Sequence, residues 1–236
     1  MRLSLFASTS ALLAIASVAP ALAENARAID GSKRPVTLAV IGDAPYGAAQ
    51  VVDLPNLVAD INADPQVERV VHVGDIKNGS SRCDTSYFEL IAEQFESFAD
   101  PLVYTPGDNE WTDCHRSNNG KYDPLERLTV LRDIFFAEPG RTLGGRAEAL
   151  FTQADSDEFG ELVENVAWQE ARVVFATLHV VGVDRPLLDG DAVHGVLTAV
   201  PNLTRLVVEG ETTGEWLKLR IDPRAQPLFS WQRVAR

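Results

Sequence analysis

Short apolar runs alternate with helical patterns along the first half of the chain. Val36–Ile41, Val67–Val73 and Pro101–Tyr104 are largely apolar and of strand length, which is typical of strands buried on both faces of a parallel sheet. Ala48–Ile61 lies between the first two runs and is predicted to be helical, with an interruption at Pro55. This alternation predicts an α/β domain.

Two further helices have recognisable starts. Asp84 is placed to cap one helix, and Asp123-Pro124-Leu125-Glu126 combines a capping Asp, a first-position Pro and a third-position Glu. Apolar residues at helical spacing then predict one buried face on each helix. These faces comprise Phe88, Ile91, Ala92, Phe95 and Phe98 in the first helix, and Leu125, Leu128, Leu131, Ile134 and Phe135 in the second.

The second half of the chain is richer in strand signals. Residues 140–164 are polar, glycine-rich and acidic, and are predicted to form a loop whose carboxylates are solvated or bind calcium. A β-prone run follows at Arg172–Val183. Thr204–Val208, Glu215–Ile221 and Phe229–Val234 are then expected to be antiparallel strands, with turns at Gly210 and Pro223.

The first 23 residues have the features of a secretory signal peptide. Arg2 precedes the mostly apolar stretch Leu3–Val18, and Ala21-Leu22-Ala23 is a small-residue cleavage site. The alternative is a membrane anchor, but the apolar core is shorter than the roughly 20 residues of a spanning helix. We therefore expect a signal peptide at 1–23, a single domain at 24–236, and a periplasmic or secreted location with no membrane contact after signal removal.

The net charge indicates which partners suit the chain, and the two cysteines suggest a disulfide. The formal net charge of −13 argues against nucleic acid as a main partner, although a bound divalent metal can reverse the field locally. The chain has two cysteines, Cys83 and Cys114. Export places them in an oxidising compartment, so a disulfide between them is favoured over two free thiols.

An Asp follows each of the three apolar runs. The segments are Ile41-Gly42-Asp43, Val73-Gly74-Asp75 and Pro106-Gly107-Asp108-Asn109-Glu110, and their aspartates are 32 and 33 residues apart. Each Asp alone would be interpreted as a turn residue or helix cap. Because parallel strands end at one edge of a sheet, the three together predict a metal site.

These three segments resemble the first three motifs of the calcineurin-like metallophosphoesterases, which read Asp-x-His, Gly-Asp and Gly-Asn-His-Asp/Glu. The resemblance covers about residues 37–183 and implies a layered α/β/β/α sandwich with mixed central sheets. It also implies hydrolysis of a small phosphorylated substrate, a phosphate mono- or diester, with two divalent metal ions. Mn, Fe and Zn all suit a site of Asp, Asn and His.

The resemblance also implies roles for individual residues. Asp43 would bind the first metal, Asp75 would bridge both, and Asp108 and His179 would bind the second. Asn109 occupies the place of the family's catalytic His, and in an alternative register Asn109 is itself the metal ligand. Asn109 cannot supply a proton near neutral pH.

The chain also departs from the family pattern. Asp43-Ala44-Pro45-Tyr46 stands where Asp-x-His is expected, and no Gly-His-x-His occurs anywhere. The expected sandwich is therefore incomplete, as after an internal deletion, and the second metal lacks its usual ligands. One alternative is an inert member of the same fold. Another is a binding module that uses exposed aromatics such as Trp111, Tyr122 and Trp231.

Roles are also expected for the three remaining histidines and for two basic residues. His115 is a candidate catalytic residue at the rim, and Lys77 and Arg116 are candidate phosphate contacts or simply surface cations. His72 lies in the second apolar run and is predicted to be a core histidine. His194 would replace a missing ligand only after a rearrangement.

Overall fold

The computed structural model describes residues 32–157, 159–179, 208–213 and 216–221, the last two as backbone only. The predicted signal peptide, His194, Trp231 and the predicted strand Phe229–Val234 lie outside these residues. The elements are listed here in chain order: β1 Val36–Ile41, α1 Gly47–Ala63, β2 Arg69–His72, α2 Thr85–Glu96, β3 Leu102–Tyr104, α3 Pro124–Phe135, β4 Phe151–Thr152, β5 Val166–Glu170, β6 Val173–Ala176, β7 Val208–Thr213 and β8 Trp216–Ile221.

The main sheet brings the ends of three parallel strands side by side. Its order is β3-β2-β1-β8-β7, with β1, β2 and β3 parallel and β8 and β7 antiparallel. Ile41 pairs with His72, and His72 pairs with Tyr104. The three Asp-bearing turns therefore begin at the same edge of the sheet, as the sequence predicts.

Residues alternate across this sheet between two apolar clusters. Ala39, Val70 and Leu102 face one cluster with residues of α1, α2 and α3. Val71 and Val103 face a second cluster with Trp168 and Val173 of a small sheet ordered β4-β5-β6, and Val36 and Leu38 belong to the same cluster. The described residues thus form helix, mixed-sheet and second-sheet layers. This confirms the α/β class, and the arrangement is consistent with a partial α/β sandwich.

The helices differ from the predictions in two places. Helix α1 continues through Pro55 instead of being interrupted there, because burial of Leu57 and Ile61 beyond the proline offsets the roughly 3 kcal/mol that an interior proline costs. Leu125 is 69% exposed, because it lies in the first turn of α3, away from the buried face. The predicted cap of α3 is confirmed, since Asp123 Oδ1 accepts from the backbone N–H of Glu126 at 3.0 Å.

Two predicted loop features are also wrong. Gly210 lies inside β7, opposite Leu219, and the hairpin closes with the pair Thr213 and Trp216. Gly210 is tolerated in a strand because β7 is at the edge of the sheet. The predicted loop over 140–164 contains β4 and a short 3-10 helix, and its last residue, Glu164, is fully buried.

His72 is a core histidine, as predicted. It is 1% exposed, contacts the rings of Phe95 and Tyr104, and lies 2.8 Å through Nε2 from the Ala44 carbonyl oxygen. Its Nδ1 accepts from the backbone N–H of Gly74 at 3.2 Å. Burial lowers the pKa of His72 to about 4, against a smaller opposing effect of the Ala44 hydrogen bond.

This depressed pKa predicts acid sensitivity. The unfolded chain binds a proton at His72 below about pH 6.5, whereas the folded chain does so only near pH 4, so stability is lost as the pH falls through this window. The shift corresponds to about 3 kcal/mol. Urea unfolding at pH 7 and at pH 4 should show a smaller loss for His72→Gln than for wild type. Equal losses in the two proteins would contradict the prediction.

Candidate functional site

The first two turns place their aspartates in the same unusual backbone conformation. Asp43 and Asp75 have φ values of 54° and 58°, in the left-handed region that Asp and Asn tolerate better than most side chains. The backbone N–H of Asp43 donates to the carbonyl of Gly74 at 3.2 Å. The two turns are therefore joined directly, with their carboxylates on one side of the sheet edge.

The second and third turns approach closely enough to require glycine. A Cβ on Gly74 would lie 2.4 Å from the backbone nitrogen of Gly107. A Cβ on Gly107 would lie 2.1 Å from Asp75 Oδ1. Glycine at both positions lets the third turn lie directly against the Asp75 carboxylate.

The Tyr46 hydroxyl lies where the candidate ligands converge. It is 2.8 Å from Asp43 Oδ1 and 3.3 Å from Asp75 Oδ2, and it accepts from Asn109 Nδ2 at 3.2 Å. Burial raises the pKa of Tyr46, and the two carboxylates raise it further, so the hydroxyl keeps its proton. One proton cannot serve both carboxylates at once. Sequence reasoning noted Tyr46 only as part of the segment Asp43-Ala44-Pro45-Tyr46, in which the expected histidine is absent.

In the third turn, Asn109 faces the cluster. Its backbone N–H donates to Asp75 Oδ1 at 3.2 Å, in addition to the side-chain contact with Tyr46. The carbonyl of Asp108 instead accepts hydrogen bonds from the 3-10 helix Thr112–His115 and the residue before it. The Asn109 side chain thus presents its NH₂ group to the Tyr46 hydroxyl. Asp108 remains close enough that its charge helps to raise the pKa of Asp75.

Glu110 connects the second and third turns, because it accepts hydrogen bonds from both. It is fully buried, and its Oε1 accepts from Asp75 N at 3.1 Å, Gly107 N at 2.7 Å and Tyr104 Oη at 2.8 Å. Its Oε2 has no hydrogen-bond partner among the described residues. Burial raises the pKa of Glu110 to about 7, against the opposing hydrogen bonds from Gly107 and Tyr104. Sequence reasoning did not find this role.

The candidate phosphate contacts lie in different surroundings. Lys77 is buried and donates from Nζ to the Asn109 carbonyl at 2.7 Å, and burial lowers its pKa. Arg116 is exposed and pairs with Asp113. His115 is exposed, with Nδ1 2.6 Å from the Thr112 carbonyl oxygen. The structure thus buries Lys77 under the third turn and keeps Arg116 and His115 on the surface.

A disulfide joins Cys83 to Cys114, as predicted, with 5.7 Å between the Cα atoms. It links the chain just before α2 to the 3-10 helix that follows the third turn. Both cysteines are fully buried. The disulfide therefore ties the segments that carry the second and third turns.

Removing this disulfide should destabilise the fold. Closing a loop of 31 residues restricts the unfolded chain, and loss of such a link costs about 2–4 kcal/mol. Urea unfolding of the double variant Cys83→Ser, Cys114→Ser, compared with wild type with and without reductant, measures the effect. Reductant should shift wild type and leave the double variant unchanged. Unchanged stability of reduced wild type would contradict the prediction.

His179 follows β6 and contacts Trp111, the residue after the third turn, and both ring nitrogens have partners. Trp111 Nε1 donates to Nε2 at 3.1 Å, and Nδ1 lies 2.7 Å from Glu164 Oε1. Arg132 of α3 donates to both oxygens of Glu164, at 2.8 and 3.1 Å. Burial alone would raise the pKa of Glu164, but the hydrogen bonds from His179 and Arg132 outweigh it and lower the pKa to about 2. Sequence reasoning found His179 and missed Glu164 and Arg132.

Comparison with protein families found a match that covers most of the chain. The family model for calcineurin-like phosphoesterases matches residues 36–224. The chain belongs to the calcineurin-like phosphoesterase family. Searches of curated proteins and of solved structures found no match.

Members of the calcineurin-like phosphoesterase family generally bind divalent metals, and two carboxylates of this chain lie close together at the sheet edge. The carboxylate oxygens of Asp43 and Asp75 converge on a single point, the Tyr46 hydroxyl, which also accepts a hydrogen bond from Asn109 Nδ2. Burial raises the pKa of Asp75, and the charges of Asp108 and Asp43 add to this against the Asn109 hydrogen bond. A cation would neutralise this charge.

The described residues give less support for a full two-metal centre. Among the described residues, no group of three or more His, Cys, Asp or Glu side chains could hold a metal ion. Asp155, Asp157 and Glu161 of the acidic segment 140–164 are exposed and form no such group either. No helix in the described part of the chain is long and apolar enough to cross a membrane.

Proposed function

We propose that this calcineurin-like phosphoesterase is an exported hydrolase of phosphate mono- or diesters that works with divalent metal ions bound at the edge of the main sheet. The observation that carries the proposal is the convergence of two carboxylate oxygens, Asp43 Oδ1 and Asp75 Oδ2, within 3.3 Å of one point, the Tyr46 hydroxyl. When bound, the cation would neutralise phosphate charge and lower the pKa of an attacking water.

The chain's own residues would bind and orient the substrate. Asp43 and Asp75 would hold a first cation, and Asp75 would share a second with His179 and either Asp108 or Asn109. The side-chain amide of Asn109 would donate a hydrogen bond to a phosphate oxygen in the register where it is not a ligand. Exposed Arg116 and His115 are the surface groups that could meet the substrate's charge and its leaving group.

Export is part of the same proposal. Its support is the signal-peptide pattern over residues 1–23 and the Cys83–Cys114 disulfide, which is typical of an oxidising compartment. The location would be periplasmic or secreted. The acidic chain would act on small phosphorylated molecules and not on nucleic acid.

Metal content of the purified chain tests the proposal. The protein would be loaded separately with Mn²⁺, Fe²⁺ or Zn²⁺, desalted and analysed for bound metal, and then assayed with a nitrophenyl phosphate monoester and diester. We expect about one metal per chain or more with at least one of these ions, together with hydrolysis. Folded protein that retains none of the three ions would overturn the proposal.

A second candidate is an inert family member, and one observation favours it. The protonated Tyr46 hydroxyl occupies the point on which the ligands converge. If that hydroxyl replaces a cation permanently, the folded chain would bind no metal and hydrolyse neither ester. The variant Tyr46→Phe, which removes the hydroxyl and keeps the ring, should then bind metal that wild type does not retain.

A further inference from the structure

The second sheet ends in a strand whose outer edge is open. In the order β4-β5-β6, strand β6 pairs with β5 on one side only. The backbone N–H of Thr177 donates to the Val166 carbonyl at 2.9 Å, and hydrogen-bonded pairs alternate along an antiparallel ladder. The N–H and C=O groups of Val174 and Ala176 therefore point away from β5, and no described residue forms a hydrogen bond with them.

This edge lacks the features that usually prevent edge strands from pairing with another chain. Natural edge strands carry lysine, proline or a bulge for this purpose. Strand β6 has the sequence Val-Val-Phe-Ala, and its register with β5 is regular, without a bulge. Val174 is 40% exposed, and Ala176 is also exposed. The edge is therefore accessible, apolar and uncharged.

The inner face of β6 is anchored in the core. Val173 is buried in the apolar cluster between the two sheets, and the ring of Phe175 stacks on that of Trp168 with 5.0 Å between centroids. The strand begins at the tight turn Ala171-Arg172, where both residues have positive φ. The open edge thus belongs to a strand that packing and a hairpin turn hold in place.

The backbone pattern of this edge is complementary to a second copy of itself. With a twofold axis beside Val174, that residue lies opposite Val174 of the second copy, and the two exchange both backbone hydrogen bonds. Ala176 then lies opposite Arg172 of the second copy, so its outward N–H meets a carbonyl and no like charges face each other. Any other partner must supply a matching strand, whereas a second copy always carries one.

We propose that two copies of the chain pair antiparallel through β6, with Val174 at the twofold axis, and so join their second sheets edge to edge. The same surface is used by both copies, so the assembly closes at a dimer. The pairing involves neither the Asp43 and Asp75 turns nor a bound ion, and it does not rest on the proposed function. Because the chain carries a net charge of −13, we expect association to strengthen as salt screens the repulsion.

Two substitutions at the edge and one matched control test the pairing. Val174→Lys places like charges opposite each other at the centre of the pair, and it should weaken association by about tenfold or more. Ala176→Pro removes an N–H that points away from β5, so it should weaken association by about tenfold and leave the ladder between β5 and β6 intact. Val52→Lys makes the same change on α1, where Val52 is 79% exposed, and should leave association unchanged.

The experiment is sedimentation equilibrium of the purified full chain over a wide range of concentrations, at low and at high salt, with folding checked by circular dichroism. Cross-linking supplies an independent readout. Opposite residues that exchange hydrogen bonds have Cα atoms about 5.5 Å apart, a separation that a disulfide can span. Val174→Cys should therefore form a disulfide-linked dimer on mild oxidation, whereas Val52→Cys should not.

A monomer–dimer equilibrium that both edge variants weaken, together with the Val174→Cys cross-link, supports the pairing. Wild type that stays monomeric at every concentration overturns it, and the edge is then covered by another part of the same chain or by none. Dimers that Val174→Lys and Ala176→Pro leave unchanged also overturn it, because they use a different surface, as do assemblies larger than a dimer. If Ala176→Pro does not fold, Val174→Lys and the cross-link still decide.

Discussion

Replacing Asp75 by asparagine should abolish cation binding and lower the rate of phosphoester hydrolysis by at least about 1,000-fold. Metal ions supply several kcal/mol of transition-state stabilisation, and each 1.4 kcal/mol corresponds to a factor of ten. Asp75 adopts a φ of 58°, which Asn also tolerates. The side-chain oxygen of the introduced asparagine can still accept from the Asn109 backbone N–H. The substitution therefore removes the charge with little change in the turn.

A matched exposed aspartate provides the control. Asp133→Asn on α3 makes the same chemical change on the surface and should leave metal content and hydrolysis unchanged. Bound metal by elemental analysis and rates with a nitrophenyl monoester and diester would be measured for wild type and both variants. Full hydrolysis by folded Asp75→Asn, with wild type active, would place the reaction away from this edge of the sheet.

The arrangement of the parallel strands was predictable because it depends on short-range patterns. Val36–Ile41 was delimited correctly from its apolar composition and the glycine that follows it. Ile41, His72 and Tyr104, which pair in register, are the last residues of the three consecutive parallel strands. This is why the convergence of Asp43 and Asp75 could be anticipated without any structure.

The errors arose where packing outweighs local propensity. Pro55 is a strong local signal for a helix end, but the buried residues of α1 continue beyond it. Gly210 is a strong turn signal, but the edge position of β7 permits a glycine inside the strand. Local sequence does not report which tertiary contacts will form, so neither outcome was available from the pattern.

The missed site residues have a different physical cause. Tyr46, Glu110 and Glu164 each act through hydrogen bonds to residues that are distant in sequence, such as Asp75 and His179. A polar residue near a glycine-rich turn is usually solvated, and composition gave no reason to expect otherwise. Full burial of Glu110 and Glu164 is the signal that marks them, and burial requires the folded chain.

The largest stability effect is expected for Glu110→Ala, which should cost about 5 kcal/mol or more. Alanine would leave three buried donors without an acceptor, namely the N–H groups of Asp75 and Gly107 and the hydroxyl of Tyr104. Each unsatisfied buried donor costs about 1–3 kcal/mol. Buried Lys77 would also lose a nearby opposite charge. Urea unfolding of the variant and of wild type at pH 7 measures the loss.

Glu110→Gln separates the role of the hydrogen bonds from that of the charge. Its side-chain carbonyl can accept from all three donors, while its NH₂ group would take the position of Oε2, which has no partner among the described residues. We therefore expect Glu110→Gln to lose less than half of the stability that Glu110→Ala loses, and to keep the second and third turns together. Equal losses in the two variants would assign the effect to the carboxylate charge. A loss below about 1 kcal/mol in Glu110→Ala would mean that other contacts hold the turns, since Gly74 and Gly107 already meet backbone to backbone.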